Sequence, residues 1–161
     1  MPIAIVTGGN KGIGLEITKE LLKQNYQVIV GGRTEYLDEE TSKKVNFIKT
    51  DLTKLESHEK LAKKAIENHG KLDLYVNNVG ISEWKPINEI NEEFLNKLIH
   101  TNIYSTLWGC KVAANYLGEN GSIINISSIA GKRGSLNNSA YVATKFAMNG
   151  LTQSLAKELG P

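Results

Sequence analysis

The chain has 161 residues, of which 40% are hydrophobic, and its 19 basic and 17 acidic residues give a net charge of +2. This length and apolar content predict a single domain over residues 1–161, and because charges of both signs are spread along the chain, we expect no nucleic-acid partner. The single cysteine, Cys110, excludes an internal disulfide, and His58, His69 and His100 are too far apart in sequence to suggest a metal site.

The predicted elements alternate between short apolar strands and longer amphipathic helices. The N-terminal sequence MPIAIVTGG lacks the features of a signal peptide, and no apolar run approaches membrane-spanning length, so we expect a cytoplasmic protein with no membrane partner. Strands are predicted at Ile3–Val6, Gln27–Val30, Val45–Ile48, Leu72–Val76 and Ser122–Ile126, and helices at Ile13–Gln24, Leu55–Asn68, Glu92–Tyr116 and Ala140–Leu159. The fold class is therefore α/β, with a doubly wound parallel sheet. Only GRTEYLDEETSKK separates the second and third strands, so the helix of that crossover is expected to be short or absent.

A glycine-rich turn, TGGNKGIG, joins the first strand to the first helix. Gly8, Gly12 and Gly14 allow a ligand to approach the backbone closely, and the helix N-terminus beyond them suits a phosphate. The spacing is G-x-x-x-G-x-G and differs from the usual G-x-G-x-x-G of dinucleotide-binding folds. A turn with a purely structural role explains the same glycines.

The second strand ends in VGGRTE, where a dinucleotide-binding fold usually offers an acidic residue to a ribose hydroxyl. Gly32 and Arg33 take that place here, and a guanidinium suits a 2′-phosphate, with Lys11 able to approach it from the glycine-rich turn. Both cations favour NADP over NAD. The alternative is that they are solvated surface residues, with Arg33 paired to Glu35.

Two more motifs follow strands at the edge of the sheet where ligands of such folds bind. In TDLT, Asp51 is suited to accept a hydrogen bond from an adenine amine, with the Leu52 amide beside it. Taken alone, Asp51 is equally explained as an acid at a helix N-terminus, and Asn77 and Asn78 of VNNVG as turn residues.

The segment SAYVATK opens the last predicted helix. Tyr141 and Lys145 are four residues apart and share one helix face, so the ammonium is expected to lower the pKa of the phenol towards the range of a general acid or base. The alternative is an aromatic ring packed on a lysine stem.

Together these motifs resemble the classical short-chain dehydrogenases/reductases. They occur in family order from end to end: T-G-x-x-x-G-I-G at 7–14, DL at 51–52, NNVG at 77–80 with Val79 in place of the family's alanine, Asn102, Ser128, and Y-x-x-x-K at 141–145. The resemblance implies a Rossmann-like fold and a catalytic set of Asn102, Ser128, Tyr141 and Lys145. The implied cofactor-binding residues are Gly8, Asn10, Lys11, Gly12, Ile13, Gly14, Arg33, Asp51, Leu52, Asn78, Gly80, Tyr141 and Lys145.

The resemblance also implies a role for each catalytic residue. Tyr141 would exchange a proton with the substrate oxygen, and Lys145 would bind the nicotinamide ribose and lower the pKa of Tyr141. Ser128 would hydrogen-bond the substrate oxygen, and it is preferred to Ser127 because its interval to Tyr141 matches the family's. Asn102 would hold a water that links Lys145 to solvent.

The implied function is an NADP(H)-dependent oxidoreductase that interconverts a small carbonyl compound and a secondary alcohol, with NAD(H) less favoured. The resemblance further implies a homodimer or homotetramer paired through the two long helices. Family members continue beyond Pro161, so we expect that the last strand or strands and the segment that closes the substrate pocket are missing from this chain. The alternative function is a non-catalytic nucleotide-binding or interaction module. A flavodoxin-like domain would have no use for Tyr141 and Lys145.

Overall fold

The computed structural model describes residues 1–160, and these form a parallel sheet with helices on both faces. The five strands are β1 (Ile3–Thr7), β2 (Gln27–Gly32), β3 (Val45–Lys49), β4 (Leu74–Asn77) and β5 (Ser122–Asn125). Their order across the sheet is β3-β2-β1-β4-β5, and every neighbouring pair is parallel. The predicted doubly wound sheet is confirmed, and β1 lies at its centre, next to the point where the strand order reverses.

The crossovers are helical. The helices are α1 (Gly12–Lys23), α2 (Glu39–Ser42), α3 (Leu55–His69), α4 (Glu92–Ile99), α5 (Ser105–Tyr116) and α6 (Ser139–Leu159), with short 3₁₀ turns at Ile87–Glu89 and Ile129–Gly131. The crossover between β2 and β3 contains only the four residues of α2, as its short connection predicted. Asp38 caps this turn by accepting a hydrogen bond from the amide of Thr41.

The predicted helix over Glu92–Tyr116 is wrong in one respect, because a π-helical turn at His100–Tyr104 separates α4 from α5. A π turn inserts one extra residue into an otherwise helical ladder. The segment contains no proline that would interrupt a helix, so the sequence pattern alone indicates one continuous helix. Asn102 lies in this turn and is fully buried.

Two apolar clusters cover the two faces of the sheet. Alternate residues of β1 point to opposite faces, so that Ile3 and Ile5 pack with α3 and α5, whereas Ala4 and Val6 pack with α1. Helix α6 buries only Thr144, Lys145 and Met148. Within residues 1–160, no helix combines the length and apolarity needed to cross a membrane, and no cluster of three His, Cys, Asp or Glu side chains is arranged to hold a metal ion.

Candidate functional site

A cleft of about 420 Å³ opens at the carboxyl ends of the central strands. It is lined by the predicted residues Gly8, Asn10, Lys11, Gly12, Ile13, Gly14, Arg33, Asp51, Leu52, Asn78 and Gly80, and also by Gly32, Thr34, Thr50, Thr53, Val79, Ile81 and Thr101. Parallel strands bring their carboxyl ends to one edge of the sheet, which is why motifs far apart in sequence meet here. None of the four predicted catalytic residues is part of this lining.

The glycine-rich turn is packed so tightly that a side chain has no room at Gly14. A Cβ there would lie 2.3 Å from the carbonyl oxygen of Gly8 and 2.4 Å from Nδ2 of Asn78. Helix α1 begins at Gly12, which has φ +53° and nothing within 4 Å of the position of a Cβ, and its N-cap residue Lys11 makes no side-chain capping hydrogen bond. The first residues of α1 line the cleft, and the unpaired amides of such a first turn are what an anion-binding helix N-terminus requires.

Asn78 braces this turn from the neighbouring strand. Its Nδ2 donates to the carbonyl oxygens of Thr7, at 2.9 Å, and Gly8, at 3.2 Å, and its main-chain amide donates to Oγ1 of Thr7 at 2.9 Å. The Thr7 hydroxyl in turn donates to the carbonyl of Val76. The side-chain nitrogen of Asn78 is thus committed to the protein, and Thr7, the first residue of the glycine-rich motif, is a bracing residue that was not among the predicted site residues.

β2 ends without an acidic side chain, and the side chain of Asn10 occupies the space that a side chain at position 32 would need. Asn10 is buried, donates through Nδ2 to the carbonyl of Thr34, and places its Oδ1 2.8 Å from where a Cβ of Gly32 would lie. Arg33 is exposed at the rim of the cleft. The ion pair with Glu35 is not formed among residues 1–160, where the Glu35 carboxylate instead accepts a hydrogen bond from Ser42.

Asp51 lies on the loop between β3 and α3. Its Oδ1 accepts hydrogen bonds from the amide and the hydroxyl of Thr53, at 3.1 and 2.9 Å. Burial favours the neutral acid, but these hydrogen bonds and the charges of Lys54 and Arg33 outweigh it and hold the pKa of Asp51 below its usual range. Asp51 is not the N-cap of α3, because that position is taken by Lys54.

Asn102 joins three segments of the chain: its own π turn, the loop that carries Ile81, and α6. Its Oδ1 accepts from the amide of Ile81 at 2.8 Å, and its Nδ2 donates to the carbonyl of Ile81 at 2.9 Å and to Oγ1 of Thr144 at 3.1 Å. Its main-chain carbonyl accepts from Oγ1 of Thr106. The side chain of Asn102 therefore holds the Ile81 segment to α6.

Tyr141 and Lys145 lie side by side on α6, as their spacing predicted. The Lys145 ammonium is 5.8 Å from the ring centroid of Tyr141 and donates to the carbonyl of Ile126 at 3.0 Å. Burial lowers the pKa of Lys145, whose exposed fraction is 5%. A Cβ on Gly80 would lie 3.6 Å from this ammonium and 3.4 Å from Oδ1 of Asn102, so the cleft ends beside Lys145 and Asn102.

The two candidate serines differ in what their hydroxyl groups do. Ser127 donates to the carbonyl of Lys145 at 3.5 Å, so its proton is directed at the α6 backbone. Ser128 caps the 3₁₀ turn at Ile129–Gly131 by accepting from the amide of Ala130 at 3.1 Å. An accepting hydroxyl keeps its own proton for another partner.

The profile of the short chain dehydrogenase family matches residues 2–161. The chain belongs to this family. It is 36% identical to the L-2,3-butanediol dehydrogenase of Corynebacterium glutamicum, over 99% of this chain and 66% of that protein. It is also 36% identical to an (S)-acetoin-forming diacetyl reductase of Staphylococcus epidermidis, over 97% of this chain and 65% of that protein.

The fold of this short-chain dehydrogenase chain is similar to solved structures. The ligand-free aldohexose dehydrogenase of Thermoplasma acidophilum has a TM-score of 0.92 at 28% identity, covering 99% of this chain and 62% of that one. A short-chain dehydrogenase of Streptomyces avermitilis has the same TM-score and the same identity, and the match covers 99% of this chain and 61% of that one. The chain thus spans about two thirds of the length of the curated relatives it matches.

Proposed function

We propose that residues 1–161 form the cofactor-binding domain of an NADP(H)-dependent oxidoreductase that interconverts a carbonyl compound and a secondary alcohol. The observation that carries the proposal is the single cleft that gathers the glycine-rich turn, Arg33 and Asp51 and ends beside Lys145. Family membership supports a nicotinamide cofactor. Binding of the adenine and phosphate groups needs only groups present in this chain.

The donors present fit a dinucleotide. The amides at the start of α1 suit the pyrophosphate, and the open space beside Gly12, where nothing lies within 4 Å of the position of a Cβ, permits close approach of a phosphate to the backbone. Asp51, held ionised by Thr53, suits the exocyclic amine of adenine. Arg33 and Lys11 suit a 2′-phosphate, and Gly32 offers no carboxylate to a free ribose hydroxyl, so we propose NADP(H) in preference to NAD(H).

Residues of α6, of the segment after β5 and of the π turn would supply the proton chemistry. Hydride transfer is what the nicotinamide contributes when bound. Tyr141 would exchange a proton with the substrate oxygen, Lys145 would hold the nicotinamide ribose, and Ser128 would donate its free proton to the same oxygen. Asn102 would hold a water that links Lys145 to solvent.

The test separates binding from turnover. NADPH should quench tryptophan fluorescence of the chain, with FMN and ATP as controls, and Tyr141→Phe should bind NADPH nearly as well as the unsubstituted chain. In a carbonyl screen that begins with diacetyl and acetoin, because diacetyl reductases are among the relatives, Tyr141→Phe should abolish turnover. Substantial turnover by Tyr141→Phe would refute the assignment. NADPH binding without turnover of any carbonyl by the unsubstituted protein would favour the module without catalytic activity.

We also propose a homo-oligomer, paired through α4, α5 and α6. These helices and the π turn between α4 and α5 expose the apolar side chains Leu95, Tyr104, Leu107 and Phe146, each between 38% and 48% accessible. Exposed apolar surface on adjacent helices favours association. Sedimentation velocity should give a dimer or tetramer, and the double substitution Leu107→Glu with Phe146→Glu should shift the protein to a monomer. A monomer before substitution would contradict the proposal.

A further inference from the structure

His58 is a fully buried titratable residue of α3 that has no part in the proposed chemistry. Its Nε2 lies 2.8 Å from the carbonyl oxygen of Leu52, and its Nδ1 lies 2.8 Å from the hydroxyl of Tyr75, which is also fully buried. Because a carbonyl oxygen only accepts, Nε2 carries the hydrogen, and the neutral ring accepts the tyrosine proton at Nδ1. Two hydrogen bonds therefore run through the core from Tyr75 to Leu52.

Both groups of this pair are held neutral. Burial lowers the pKa of His58, although the hydrogen bond with Leu52 opposes the shift, and burial raises the pKa of Tyr75 well above its usual range. Other inward positions of α3, such as Leu61 and Ala62, are apolar and fully buried. A polar side chain at His58 therefore needs its two hydrogen bonds to offset the loss of hydration.

The Leu52 carbonyl belongs to the loop that carries Asp51. Among the side chains of residues 1–160, His58 is the one that hydrogen-bonds a main-chain carbonyl of residues 50–53. The Leu52 carbonyl and the Thr53 amide are parts of one planar peptide unit, so fixing the first orients the second. The Thr53 amide is the donor that holds Oδ1 of Asp51 at 3.1 Å.

We propose that His58 is a positioning residue for the adenine end of the cofactor, an inference that rests on the proposed function. By fixing the Leu52–Thr53 peptide plane, His58 directs the Thr53 amide at Asp51 and holds that carboxylate where an adenine amine binds. Tyr75 restrains the imidazole through its hydrogen bond to Nδ1. His58 should therefore affect binding of the adenosine phosphate half of the cofactor and leave binding of the nicotinamide half unchanged.

The experiment measures dissociation constants by isothermal titration calorimetry for three ligands: NADPH, 2′,5′-ADP and reduced nicotinamide mononucleotide. His58→Leu should weaken NADPH and 2′,5′-ADP about five- to tenfold, as loss of one buried hydrogen bond predicts, and leave the mononucleotide unchanged. In His58→Gln the side-chain amide still donates to the Leu52 carbonyl, so this variant should recover most of the affinity.

Further variants separate positioning from damage to the core. His58→Leu leaves the Tyr75 hydroxyl unpaired, so it is repeated together with Tyr75→Phe, and the loss of 2′,5′-ADP affinity should persist. Tyr75→Phe alone keeps the His58–Leu52 hydrogen bond and should retain most of the affinity. Melting curves establish which variants are folded at the assay temperature.

Three results would overturn the inference: unchanged 2′,5′-ADP affinity in a folded variant that carries His58→Leu, an equal loss for both halves of the cofactor, or no recovery in His58→Gln. If the unsubstituted chain bound neither NADPH nor 2′,5′-ADP, the proposed function itself would fail, and the inference with it.

Discussion

Oγ1 of Thr144 lies 3.1 Å from Nδ2 of Asn102 and 2.7 Å from the carbonyl oxygen of Tyr141. The hydroxyl accepts from the π turn and donates within α6, so a single buried side chain joins the interrupted helix to the helix of Tyr141 and Lys145. Asn102 also makes two hydrogen bonds with the main chain of Ile81, so the loop of Ile81, which lines the cleft, is joined to the same residues.

Thr144→Val should therefore destabilise the protein, because it removes both hydrogen bonds at nearly constant volume. We expect the free energy of unfolding to fall by about 1–2 kcal/mol, the usual effect of removing a partner from a buried polar group. Thr144→Ser keeps the hydroxyl and is the matched control. Urea unfolding of the three proteins tests this, and equal stabilities of the valine and serine variants would contradict the role of the hydroxyl.

Gly14→Ala should damage the turn that faces the cleft. A Cβ at Gly14 meets the Gly8 carbonyl at 2.3 Å and Nδ2 of Asn78 at 2.4 Å, so the brace between β1 and β4 must shift. Overpacking of this kind costs about 1–3 kcal/mol of stability, and the displaced turn should also lose NADPH affinity. Gly118→Ala is the control, since nothing lies within 4 Å of its Cβ position. Wild-type behaviour of Gly14→Ala in both unfolding and NADPH titration would show that the turn adapts.

The residues of the cleft were predictable because the topology of the sheet determines which motifs come together. Once a doubly wound parallel sheet is inferred, motifs after different strands must meet at one edge, and the predicted residues from Gly8 to Gly80 do line one cleft. Their binding roles stay predictions. What the sequence could not indicate depends on contacts across the chain: the π turn at Asn102, the bracing by Thr7, and the pairing of His58 with Tyr75, 17 positions away. Thr7 and Asn102 belong to motifs that the sequence shows, but no local spacing indicates the π turn or the bracing hydrogen bonds, and none distinguishes His58 from an ordinary helix position.

The lowered pKa of His58 makes stability depend on pH. The unfolded chain protonates this imidazole near its ordinary pKa of about 6.5, whereas burial keeps the folded chain from doing so, and the unfolded state therefore binds more protons below that pH. The free energy of unfolding should fall as the pH drops through about 6.5 towards the folded pKa. The facing Tyr75, and Cys110 beside it, have pKa values raised by burial, that of Cys110 to about 11, so neither titrates in this window.

Urea unfolding of the unsubstituted protein and of His58→Gln across about pH 5 to 8 tests this dependence. The carboxylates, His69 and His100 are common to both proteins, so their contributions cancel in the difference between the two curves. That difference should change with pH below about 6.5 and be constant above it. Parallel curves over the whole range would contradict the buried neutral state of His58.

Arg33 decides the proposed preference between the two nicotinamide dinucleotides. It is exposed at the rim of the cleft, it follows Gly32, whose small size leaves room for Asn10, and it makes no ion pair among residues 1–160. A guanidinium on a doubly charged phosphate forms charge-assisted hydrogen bonds, so Arg33→Ala should raise the dissociation constant of NADPH about ten- to thirtyfold and that of NADH less than about twofold.

Arg133→Ala removes the other arginine of the chain, which lies outside the cleft lining, and should change neither value. Because the contact is partly solvated, the effect of Arg33→Ala should shrink as salt is raised. Equal losses for NADPH and NADH in Arg33→Ala would place the 2′-phosphate elsewhere and remove the reason for preferring NADP(H).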